Sequence, residues 1–97
     1  MLYEISRYGE EKKYIDRIND NFSVSPVLTN GYEELEHDDT MSDICDKLNS
    51  NFSAYNDTGL YVGLFYGFYS QMQIDQMFNI INSNFLILNP TESLTLT

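Results

Sequence analysis

Apolar and polar positions follow one pattern three times along the chain. Residues 14–22 read YIDRINDNF, residues 44–52 read ICDKLNSNF, and residues 77–85 read MFNIINSNF. Aligned on the closing Phe22, Phe52 and Phe85, each copy has Ile18, Leu48 or Ile81 four residues back. Seven and eight back stand Ile15 and Tyr14, Cys45 and Ile44, and Phe78 and Met77. Copies two and three continue to eleven back, at Met41 and Ile74. Offsets of four, seven, eight and eleven trace one face of an α-helix. Each phrase therefore predicts a helix that buries a stripe. The polar positions repeat as well, with Asn one and three residues before each Phe: Asn21 and Asn19, Asn51 and Asn49, Asn84 and Asn82.

The pattern predicts helices over about residues 10–22, 41–52 and 71–85. Glu10 and Glu11 place negative charge in the first turn of helix one, where the helix dipole favours it, and Pro26 blocks continuation. Thr40 and Asp43 have capping-box spacing at the start of helix two, and Ser70 and Gln73 have it at the start of helix three. Asn tolerates the left-handed backbone, so the Asn before each Phe reads as a helix stop, with the Phe folding back onto the stripe. The Asn three before Phe is left with a polar role. It caps carbonyls or bonds a neighbouring chain, and the sequence leaves both open.

Between the helices, residues 2–8, 60–69 and 86–96 read as short strands. LYVGLFYGFY, residues 60–69, is aromatic and β-branched enough for a strand, yet Gly59, Gly63 and Gly67 repeat at helical spacing. The predicted fold class is α+β, with three short amphipathic helices and a few short strands. The alternative is mainly α, with a long third helix over 60–85. Residues 23–39 form a long connection with a Thr-Asn-Gly turn at 29–31 and an acidic end, and Val27 and Leu28 are its expected core anchors. Connections of this length often carry an interaction surface. The expected core is Ile15, Ile18, Phe22, Ile44, Leu48, Phe52, Phe78, Ile81 and Phe85.

Ninety-seven residues make a single small domain, 1–97, with one core and modest stability alone. Eight Tyr and six Phe favour folding over disorder. The formal charge is −10, and no Lys or Arg follows Lys47. That balance argues against direct binding of nucleic acid, which needs a basic surface, and against anionic membrane. It leaves a basic protein partner open. No signal peptide is visible, and the apolar run at 60–69 is about half the roughly 20 residues a membrane span needs.

Candidate chemistry is sparse. Cys45, the sole cysteine, falls on a buried stripe and reads as a small hydrophobe. Glu33, Glu34, Glu36, Asp38 and Asp39 form an acidic run that matches no calcium loop. It reads as a solvated face, with display toward a partner as the functional possibility. His37 stands without the further ligands a zinc site requires. No phosphate loop, nucleophile–base pairing or dinucleotide fingerprint is present. The expectation is no enzyme, no cofactor and no metal.

The stretch DDTMSDICDKLNSNFSAYN, residues 38–56, resembles a segment of bacteriophage tail-fibre and other virion-attachment proteins. The matching positions are Asp39, Thr40, Lys47, Leu48, Asn49, Asn51 and Phe52. Residues 17–22 are similar, and the third copy matches only at its Asn-x-Asn-Phe end. The resemblance implies a noncatalytic virion structural component: a small tail, connector, baseplate or decoration protein. Its partners would be other virion proteins or further copies of itself, and its location the virion. Asn19, Asn21, Phe22, Asn49, Asn51, Phe52, Asn82, Asn84 and Phe85 would be the assembly residues. The rival expectation rests on size and charge. It is a small acidic inhibitor, of the anti-CRISPR or anti-restriction kind, mimicking nucleic acid and binding a basic nuclease-type protein in the host cytoplasm. Glu33, Glu34, Glu36, Asp38 and Asp39 would be its display.

Overall fold

The three stripes converge on one another. In the computed structural model, which describes residues 1–7, 12–55, 59–60 and 71–96, the element order is β1 (Leu2–Tyr3), α1 (Lys13–Val24), α2 (Met41–Ala54), α3 (Gln71–Leu88) and β2 (Leu94–Thr95). The fold is α+β. Every expected core residue is buried, joined by Leu2, Ile5, Leu35, Cys45, Leu60 and Met77. Each fully buried side chain of this size contributes roughly 1.5–3 kcal/mol, so the shared core is the main stabilising feature of the domain.

Local chemistry sets the helix ends. The capping box of α2 is complete: Asp43 N–H donates to Thr40 Oγ1 at 3.1 Å, and Thr40 N–H to Asp43 Oδ2 at 3.0 Å. All three helices run past the Asn-Phe pair, so Asn21, Asn51 and Asn84 are interior helical residues and not stops. The actual stops lie further on. Ser25 ends α1, its hydroxyl donating to Asn21 O at 2.7 Å and its N–H reaching Asn21 O and Phe22 O. Asn89 ends α3, its N–H and its amide both donating to Phe85 O, at 3.0 and 2.9 Å. The Asn89 amide also donates to Ser25 Oγ at 3.0 Å and ties the two ends together. Pro90 prevents further helix.

The strands are shorter than expected. β1 covers two residues of the 2–8 stretch. The 86–96 stretch begins as the last turn of α3 and is strand only at Leu94–Thr95. Burial explains the longer helix: Leu88 packs on the core one turn beyond Phe85. β1 and β2 pair in parallel, Leu2 with Leu94 and Tyr3 with Thr95, so the two ends of the described chain meet. The expected strand at 60–69, its helical alternative and the Ser70 cap lie outside the described residues, Leu60 apart, as do residues 8–11.

The connection after α1 crosses back over the core. Gly31, at φ 73°, closes a turn with its N–H on Leu28 O. Val27 is not an anchor, being 98% exposed; Leu35 is, at 2%. Tyr32 stacks on Phe22 with ring centroids 5.5 Å apart.

Candidate functional site

Of the residues expected to mediate assembly, Asn21, Phe22, Asn51, Phe52, Asn84 and Phe85 are buried within the chain, and Asn19, Asn49 and Asn82 are half-buried. Phe22, Phe52 and Phe85 form a nearly equilateral aromatic cluster, with centroids 4.9 Å (22–85), 5.1 Å (22–52) and 5.4 Å (52–85) apart. The 22–85 and 52–85 pairs meet edge to face, the geometry that ring quadrupoles favour. No second chain is needed to cover them.

The asparagines act as two-pronged clamps on extended backbone. Asn21 accepts from Tyr3 N–H and donates to Tyr3 O, both at 2.8 Å. Asn51 does the same to Glu33, at 2.7 and 2.8 Å. In both cases the clamped residue lies 18 positions earlier. The outer asparagines reach elsewhere. Asn19 of α1 clamps Leu35, at 2.8 and 2.7 Å. Asn82 of α3 clamps Ile5, at 2.7 and 3.1 Å. The inner Asn thus holds the segment leading to its own helix, and the outer Asn holds the segment leading to another. Asn84 is completely buried, and neither it nor Asn49 lacks a partner. Each clamp satisfies one backbone donor and one backbone acceptor in segments outside the helices.

The acidic run is strapped down between α1 and α2. Besides the Leu35 and Glu33 clamps, His37 Nε2 lies 2.7 Å from Asp16 Oδ1, and Lys12 donates to His37 O. Lys47 Nζ reaches Glu34 O at 3.0 Å and Asp39 Oδ2 at 2.7 Å. The five acids therefore divide. Asp39 is structural, with its side chain only 9% exposed. Glu33, Glu34, Glu36 and Asp38 are exposed, with Glu33 accepting from the Ser50 hydroxyl at 3.2 Å. The carboxylates of Glu36, Asp38 and Asp39 approach within 4.8 Å of one another. Lys47 already stands on Asp39, where a cation would bind.

The Glu36 N–H, first, and Lys47, second, hold the Asp39 carboxyl below its ordinary range, and Asp39 in turn raises Lys47. A depressed carboxylate stabilises the fold above its unfolded pKa and loses that contribution as pH falls through its folded value. Below about pH 4, amide exchange at Glu36 and Leu35 is therefore expected to accelerate before that of the helix cores. Simultaneous opening of all amides would contradict the local role given to Asp39. Burial, followed by Asp46, raises the Cys45 thiol, which keeps it protonated and unreactive.

A cleft of about 210 Å³ opens beside β1, lined by Glu4, Ile5, Ser6, Asp75, Phe78 and Asn82 among others. Arg7 bridges its rim to Asp75 at 2.8 Å. Among the described residues no helix is long and apolar enough to cross a membrane.

No family model matches the chain, and neither a curated protein nor a solved structure shows significant similarity to it.

The clamped backbone was missed because it carries no polar side-chain signature. One signal was available. Leu2 and Tyr32 each precede a terminal Phe by 20 residues, and Ile5 and Leu35 by 17. The same offsets before Phe85 fall on Phe65 and Phe68 in the sequence. The repeat is longer than the helical phrase that revealed it.

Proposed function

We propose that this chain is a noncatalytic protein-binding domain that docks an acidic face on a basic surface of another protein. The observation behind this reading is the strapped loop. Its backbone is fixed at Glu33, Glu34, Leu35 and His37, while Glu33, Glu34, Glu36 and Asp38 stand in solvent. Asp16 of α1 lies beside the loop, 2.7 Å from His37 Nε2. A display fixed before binding loses little ordering entropy on association, and several aligned carboxylates favour a cationic groove. An inhibitor that occupies a nuclease's nucleic-acid channel is the function this face fits best.

The test uses Glu33→Lys, Glu34→Lys, Glu36→Lys and Asp38→Lys together, assayed against restriction and CRISPR nucleases. The expected result is inhibition by the parent, weakening about tenfold or more between low and high salt, and its loss in the variant with the helical circular dichroism intact. Inhibition that survives charge reversal eliminates the reading.

The virion reading rests on the resemblance of residues 38–56, since the three aromatic-ended helices already cover one another within one chain. Particle co-sedimentation, undiminished by the charge reversal, would select a small structural component over an inhibitor.

A further inference from the structure

The N-terminal segment occupies its site as a bound peptide would. Leu2 and Ile5 are buried in the core at 0% and 2% exposure. Tyr3 is clamped by Asn21 and Ile5 by Asn82. Glu4 N–H donates to Thr95 O at 2.9 Å, the Arg17 guanidinium lies 4.1 Å from the centre of the Tyr3 ring, and Arg7 pairs with Asp75. All these partners belong to α1, α3 or β2, and the nearest in sequence, Arg17, is 14 positions from Tyr3. A second copy of the segment would make the same bonds without alteration. The chain then enters α1 through Lys12, which sits at φ 62°, ψ 12° with no side-chain cap. That left-handed conformation is unfavourable for a residue with a Cβ. Strain at a hinge next to a separable segment invites exchange between identical chains.

We propose that two copies of this chain exchange residues 1–7, each N-terminal segment filling the cleft between α1, α3 and β2 of the other. The interface is the one seen within the single chain, so no new complementarity is needed. Extension of the hinge releases Lys12 from the left-handed region in both chains. The charge of −10 on each copy opposes the approach, so the exchanged dimer gains population with protein concentration and with salt. At the 33–39 loop the exchange touches only the Lys12 bond to His37 O, and the Asn19, Asn51 and Lys47 bonds that hold Leu35, Glu33 and Glu34 stay in place.

The unmodified chain, refolded from denaturant at high concentration in about 0.5 M salt, is expected to contain a species of twice its 11.3 kDa mass by light scattering. Refolding dilute, it should be monomeric. An Arg7→Cys, Asp75→Cys variant locates the contact. It is refolded concentrated, diluted, and then joined with a short bis-maleimide, the buried Cys45 being protected. Linked dimers are expected, because residue 7 of one copy then lies beside residue 75 of the other. Lys12→Ala loses the side-chain bond to His37 O but keeps the left-handed penalty, and Lys12→Gly loses both, so Lys12→Gly should show a dimer association constant roughly tenfold or more below that of Lys12→Ala. Monomer alone at every concentration and salt would overturn the proposal. So would a dimer that yields only internally linked monomers, or one whose population is the same in Lys12→Gly as in Lys12→Ala.

Discussion

Phe85→Ala is expected to leave the domain largely unfolded at physiological temperature. Phe85 is fully buried and meets both Phe22 and Phe52 edge to face. Its truncation removes the ring shared by α1, α2 and α3 and opens a cavity where the helices converge. Phe-to-Ala changes in cores cost about 3–5 kcal/mol. A domain of this size has a total stability near the lower end of roughly 5–15 kcal/mol. By thermal melting, the midpoint should fall by about 15–30 °C. Leu86→Ala is the matched control. Leu86 is adjacent in sequence but 37% exposed, and its loss should shift the midpoint only slightly. Equal effects from the two variants would mean that the aromatic cluster does not hold the helices together. Phe22→Ala and Phe52→Ala should resemble Phe85→Ala, and combining them should cost less than the sum, because they share contacts.

Asn21→Ala carries the second-largest expected effect. It removes both bonds to Tyr3 and leaves an N–H and a carbonyl without partners beside the core. The loss of a buried paired amide costs about 2–4 kcal/mol in all. Asn51→Ala should behave similarly, since it makes the same two bonds to Glu33. Asn21→Asp separates hydrogen bonding from shape. The carboxylate keeps the acceptor for Tyr3 N–H but faces Tyr3 O with a second acceptor, in a fully buried position. Desolvation raises the pKa of such a group. Stability is therefore lowest above that pKa and recovers as pH falls through it, where the protonated acid donates to Tyr3 O. Chemical denaturation at about pH 7 and about pH 4.5 should show the variant's deficit shrinking on acidification. A deficit independent of pH would mean that the Tyr3 carbonyl is not the partner that matters. Both results bear on the assembly expectation as well. Loss of multimerisation in an Asn21 or Asn51 variant has to be read against loss of the fold itself.

The helical phrases were legible because burial imposes a period on the chain. Ile18, Leu48 and Ile81 recur at a fixed distance from Phe22, Phe52 and Phe85, and all six are in the core. The Thr40–Asp43 cap was legible for a similar reason, since a capping box is local and its two bonds span only three residues. The helix ends were not. Asn21, Asn51 and Asn84 have the residue type of a stop, but a tertiary bond to extended backbone is available to a buried amide and outweighs the local preference. Val27 looked like an anchor and is solvent-exposed, because apolar character alone does not say which residue of a loop reaches the core.

By itself, then, the sequence determined three amphipathic helices, an α+β fold and a strongly acidic chain. These follow from periodicity, length and charge, which are properties of neighbours along the chain. Only the tertiary structure decided that the three Phe rings meet one another within one chain. It alone decided that the asparagines clamp Tyr3, Ile5, Glu33 and Leu35, that β1 pairs with β2, and that Asp39 braces the loop whose other acids face solvent. Those choices depend on bonds between residues from 8 to more than 90 positions apart. One-dimensional pattern records which side of an element is buried, and it is silent on what that side is buried against.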